Sequence, residues 1–215
     1  NAVPPSVVAS RLQPFGTTIF AEMSALAAEL GAINLGQGFP DSDGPREVLD
    51  VAIESINGGL NQYPPGMGMQ VLREAIAQHQ QRFYGVSYNC DTEVLVTAGA
   101  TEAIAGALLG LLEPGDEVIV FEPMYDSYQA CIAMAGAVSV PILLEPPMYR
   151  PSMDAFEAAI TTRTKILLIN SPHNPTGMLL TREEQEHIVR IAEQHNLIIV
   201  SDEVYEHLVF DGQRH

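Results

Sequence analysis

Residues 165–205, KILLINSPHNPTGMLLTREEQEHIVRIAEQHNLIIVSDEVY, decide the fold. KILLIN and LIIVS are short runs apolar on both faces, the signature of strands buried from two sides. Between them, residues 182–195 read as a helix whose start is marked by Thr181 and Glu184, a capping-box pair. Two buried strands joined by a helix form the repeating unit of a parallel sheet. Upstream the alternation continues with EVLVTA (93–98), a helix in TEAIAGALLGLL (101–112), DEVIVFEP (116–123), a helix over 127–134, AVSVPILL (137–144) and a helix over 153–160. The expected class is therefore α/β, a three-layer α/β/α arrangement around a mostly parallel sheet.

Before residue 93 the texture differs. Residues 1–45 are rich in proline, glycine and small polar residues and read as an N-terminal arm. Its one helix, over 18–30, carries Ile19, Met23, Leu26 and Leu30 at helical spacing. Residues 45–56 form a second helix, and a third begins near Gln70 and ends by Gly85, with the turn-rich GGLNQYPPGMG between them. Gly66 and Gly68 have the spacing of a phosphate loop, but no strand precedes them, so they read as a turn. The expected organisation is an arm over 1–45 and a large domain begun by 46–215.

Composition narrows the function. Ten basic against 27 acidic side chains give a net charge of -17, which repels nucleic-acid phosphates and anionic lipid. No run of about 18 apolar residues suggests a membrane span. Cys90 and Cys131 are too few for a disulfide framework and lack metal-ligand spacing. A cytoplasmic location and no metal are expected.

In an open parallel sheet, ligands gather beyond the carboxyl ends of the strands. Three polar clusters follow apolar runs. Gly99, Ala100, Thr101 and Glu102 open a helix after EVLVTA, where free N–H groups and the Thr101 hydroxyl suit a phosphate, though small residues there also serve simple packing. After KILLIN, two prolines hold Asn174 in a rigid loop, its amide turned to a ligand or to its own backbone. After LIIVS come Asp202 and Tyr205, which would share a face of one helical turn as a functional pair or as a cap and a core residue.

Together, NLGQGFPD, NQYPPG, EVLVTAGATEAI, EPMYDSY, INSPHNPTG and SDEVYEHLVF resemble the class I/II aminotransferases of fold type I. They are most similar to the bacterial group of N-succinyldiaminopimelate, methionine, glutamine and kynurenine aminotransferases. The resemblance implies pyridoxal 5'-phosphate as cofactor, an α-amino acid and a 2-oxo acid as substrates, and a homodimer. It also implies roles. Ala100 and Thr101 match the phosphate cup, Tyr125 the aromatic ring stacked on the cofactor, and Asn174 and Tyr205 the partners of its phenolic oxygen. Asp202 matches the carboxylate paired with the ring nitrogen, and Tyr63 a residue reaching the phosphate of the neighbouring subunit's cofactor. Gly36 and Gly38 match a loop beside the substrate carboxylate, with Asn174 also near the substrate. Asn170 matches more loosely. The same motifs also accommodate a carbon–sulfur β-lyase or a non-catalytic cofactor-binding chain.

Aminotransfer needs a lysine that holds the cofactor and moves a proton. The only lysine here is Lys165, at the start of KILLIN, about 17 Å of extended chain from the strand end where a ligand would sit. The resemblance puts the catalytic lysine after SDEVYE and the substrate-binding arginine in a smaller C-terminal domain. Residues 1–215 are accordingly expected to be the first half of a longer protein.

Overall fold

The computed structural model describes residues 7–215 apart from Gln37, Phe39 and Asp41. The described chain divides into two compact units, one of residues 98–215 joined by residues 7–16, the other of residues 17–97.

The larger unit is built on four strands: β1 (Glu117–Glu122), β2 (Val138–Leu143), β3 (Thr164–Asn170) and β4 (Ile198–Asp202). Their order is β2-β1-β3-β4 and every pairing is parallel. Helices α4 (Gly99–Leu111), α5 (Ser127–Met134), α6 (Met153–Ala158) and α7 (Arg182–His195) cover the sheet. Strand alternation sorts the core into two layers. Val118, Val120, Ile166 and Leu168 pack with Ile104 and Leu108 of α4 and Cys131 and Ile132 of α5. Ile119, Phe121 and Leu167 pack on the other face with Phe156 of α6 and Ile188 and Ile191 of α7. This is the expected three-layer architecture. The capping box is also present: Thr181 accepts the Glu184 N–H, and the Glu184 carboxylate accepts the Thr181 N–H.

EVLVTA is not a strand. Its alternation matches one, but a strand exists only where a neighbouring backbone completes the ladder. Here the Val96 N–H donates instead to the Met67 carbonyl at 3.1 Å, inside the smaller unit.

That unit holds α1 (Ile19–Leu30), α2 (Arg46–Asn57) and α3 (Gln70–Tyr84). Thr18 caps α1 by accepting the Ala21 N–H, and Gly31 and Gly85, both left-handed, close α1 and α3. Gly66 and Gly68 lie in a turn, as expected. A Cβ on Gly68, whose φ is +93°, would come within 2.5 Å of the Val96 side chain. Among the described residues no helix is long and apolar enough to cross a membrane.

Candidate active site

A cavity of about 130 Å³ opens where the carboxyl ends of β3 and β4 meet the start of α4. Ala100, Thr101, Tyr125, Asn174, Asp202 and Tyr205, all singled out from the sequence, line it. Asn170 and Tyr128 line it too.

The walls follow from local structure. Gly99, with φ +82°, turns the chain into α4, and the Glu102 carboxylate accepts the Ala98 N–H. Ala100 and Thr101 thus stand in the first helical turn, where N–H groups have no carbonyl one turn earlier and the helix dipole is positive.

Asp202 ends β4. Tyr205 follows in a turn, not the helical turn expected, with Glu206 and Leu208 N–H groups donating to the Glu203 and Tyr205 carbonyls, and both Asp202 and Tyr205 reach the cavity. The Asp202 carboxylate is held at both oxygens: Oδ1 accepts the Val204 N–H at 3.2 Å, and Oδ2 accepts the Tyr128 hydroxyl at 2.5 Å. Burial, followed by that hydrogen bond, raises the Tyr128 phenol far above the ordinary range, so it remains a neutral donor. The Tyr125 ring meets Tyr128 edge-on at 5.7 Å between centroids.

Asn170, 2% exposed, locks the two strand ends together. Its amide donates to the Asp202 carbonyl at 2.9 Å, and its Oδ1 accepts the Asn174 N–H at 2.7 Å. The Asn174 amide in turn lies 3.4 Å from the Tyr205 hydroxyl, to which it donates. Beneath the loop His173 is buried with Nδ1 2.7 Å from the Thr176 hydroxyl, and burial depresses its pKa to about 4, leaving it neutral at pH 7. It stiffens the loop as an uncharged group.

Tyr63, Gly36 and Gly38 belong to the smaller unit. Tyr63 is fully exposed, and the Gly36 N–H donates to Asn34 Oδ1 at 3.0 Å. Gln37, Phe39 and Asp41 of the same NLGQGFPD segment lie outside the described residues. Lys165 is at the opposite end of β3 from Asn170, paired with Asp116 at 3.3 Å. Two contributors escaped the sequence reading in part. Tyr128 was not singled out beside Tyr125, because its partner Asp202 lies 74 residues away. Asn170 was visible only as a strand-end polar residue.

Residues 31–215 match the family model for class I and II aminotransferases. The chain belongs to this family. It is 57% identical over 208 residues to a probable N-succinyldiaminopimelate aminotransferase of Mycobacterium tuberculosis, covering 96% of this chain and 52% of that protein. It is 44% identical over 211 residues to the methionine aminotransferase of Escherichia coli, covering 98% and 55%. The solved structure of N-succinyldiaminopimelate aminotransferase from M. tuberculosis superposes with a TM-score of 0.93 over 97% of this chain and 55% of the other. The chain thus spans about half the length of these aminotransferases.

Proposed function

We propose that the full-length protein is an aminotransferase that moves an amino group between an α-amino acid and a 2-oxo acid with pyridoxal 5'-phosphate. The supporting observation is one cavity with two electrostatic poles, the positive start of α4 and the Asp202 carboxylate. A phosphate suits the first pole and a protonated ring nitrogen the second. The donor set fits this cofactor across its length. Ala100 and Thr101 would take the phosphate through N–H and hydroxyl groups. Tyr125 would stack on the ring, and Asn174 and Tyr205 would donate to the phenolic oxygen. When bound, the cofactor supplies an aldehyde for the substrate amine and an electron-poor ring that accepts the electrons left on the α-carbon. Asp202 would keep the proton on the ring nitrogen, as opposite charges favour each other's ionised form.

In this reading residues 1–45 act as an arm and substrate-side loop, and 46–215 begin the large domain. Gly36, Gly38 and Asn174 border the substrate, and Tyr63 serves the cofactor of a second subunit in a cytoplasmic homodimer. The 57% identity makes N-succinyldiaminopimelate the first amino donor to try, with methionine second.

The test is stoichiometric conversion of 2-oxoglutarate to glutamate by the full-length protein with either donor. Release of ammonia and pyruvate from a sulfur amino acid, with no glutamate formed from any donor, would overturn the proposal in favour of a lyase.

A further inference from the structure

Asp202 is oriented by a residue anchored far from it in sequence. Tyr128 belongs to the core between the sheet and α4/α5, and it is 3% exposed. Its ring is fixed among Ile104, Ile132 and Leu168 of that core and by the Tyr125 ring. The ring cannot follow the carboxylate, so the half-buried carboxylate must follow the phenol. The donor is also uncharged. A cation at the same place would cancel the negative charge, whereas a neutral hydroxyl holds the charge in place and leaves it for another cation. With Oδ1 tied to the Val204 N–H and Oδ2 to Tyr128, the side chain has little rotamer freedom.

We infer that Tyr128 is a positioning residue that sets the Asp202 carboxylate to receive a cationic ring nitrogen before the ligand arrives. The inference rests on the cofactor reading above. Without the phenol, Asp202 would sample several hydrated rotamers in the free site and would have to be ordered by each incoming ring. Ordering one side chain weakens binding by about threefold to tenfold. Only a ligand that engages the carboxylate should feel that loss.

The experiment measures dissociation constants, in the full-length protein and its Tyr128→Phe variant, for pyridoxal 5'-phosphate and for the analogue whose ring nitrogen is replaced by carbon. Both ligands carry the same aldehyde and phosphate, so those contributions cancel in the ratio. Tyr128→Phe keeps the ring and its packing, and a melting curve monitors the fold. The expected result is a threefold to tenfold weaker hold on pyridoxal phosphate, with the carbon analogue changed by less than about twofold. In an Asp202→Asn background the same substitution should leave the ratio unaltered, because the oriented group is gone. Equal losses for both ligands, or an unchanged ratio in the Asp202-containing protein, would overturn the positioning role. A parent protein that binds neither ligand, or does not distinguish them, would instead sink the cofactor reading.

Discussion

The two ends of the sheet both carry buried or half-buried carboxylates, and they treat them differently. At the amino end, Glu117, 4% exposed, accepts hydrogen bonds from the Thr161 and Thr164 hydroxyls and is paired with Arg163. The neighbouring Asp116 is paired with Lys165. At the carboxyl end, Asp202 is held only by neutral donors among the described contacts, Tyr128 and the Val204 N–H. The amino end cancels charge; the carboxyl end orients charge without cancelling it. Under the proposed function, burial alone does not mark the working carboxylate, and the character of its partners does.

The largest effect that would break this contrast is on catalysis. Asp202→Ala in the full-length enzyme should lower turnover by about 10²–10³-fold, the usual loss when an electrostatic partner of the reacting system is removed. Its melting temperature should also fall, because the buried Tyr128 hydroxyl loses its acceptor, but a stability loss of that kind does not account for a fall in turnover per folded molecule. Retention of most of the turnover would show that the carboxyl end holds no more useful charge than the amino end.

A smaller effect is expected at Asn170. Asn170→Ala removes one of the two bonds to the Asp202 carbonyl, which keeps the Ser171 N–H at 3.3 Å, and leaves the Asn174 N–H unsatisfied at a cost of about 1–3 kcal/mol. The measurable outcome is cofactor affinity reduced by about tenfold together with a lower melting temperature, one variant touching both fold and site. A stability loss with unaltered cofactor affinity would separate the strand-end clasp from the site.

How far the sequence disclosed this arrangement depended on the range of the interactions involved. The α7 cap was readable because its partners are three residues apart. Strands β1 and β3 were readable because burial on both faces leaves an apolar run. LIIVS was read the same way and is a strand, but as the edge strand β4 it is only partly buried, not covered from two sides. EVLVTA has the same local pattern and fails as a strand, since pairing is decided by a distant backbone. Thr101, Asn174, Asp202 and Tyr205 were visible as polar residues following apolar runs, and Ala100 as a small residue at the helix start beside Thr101. The grip of Tyr128 on Asp202 spans 74 residues and has no local signature. Family likeness pointed to Tyr125 through its motif and left its neighbour three positions on unremarked.

At the amino end the expected effects are on stability. The Thr161 hydroxyl is the main cause of the depressed Glu117 pKa, with the Arg163 hydrogen bond and charge and the Thr164 hydroxyl adding to it against the opposing effect of burial. A carboxylate whose folded-state value lies below its unfolded value stabilises the fold above the unfolded value, and the gain is lost as pH falls through the folded one. Thr161→Val should therefore lower the melting temperature at pH 7 by about 5 °C, with turnover per folded molecule unchanged. Below the ordinary glutamate value of 4.5 the difference between variant and parent should close. A gap that persists undiminished into acid would mean that the loss came from packing, not from the Glu117 charge.

The smallest expected effect is at Lys165, and its smallness sharpens the comparison most. The chain has no other lysine, so chemical intuition would hand it the cofactor. Its ammonium is 3.3 Å from Asp116 and its side chain is 40% exposed, the setting of a surface ion pair, at the end of β3 remote from Asn170 and Asp202. Such pairs contribute little, and a side chain cannot reach along the length of a buried strand. Lys165→Arg keeps the charge and abolishes any amine chemistry. Turnover of the full-length enzyme should stay within about twofold of the parent, and the melting temperature within about 1 °C. Borohydride reduction of the cofactor-loaded protein, followed by peptide mass analysis, should find Lys165 unmodified. A cofactor adduct on Lys165, or loss of activity in Lys165→Arg, would bring the amino end of the sheet into the chemistry and erase the distinction between the two ends.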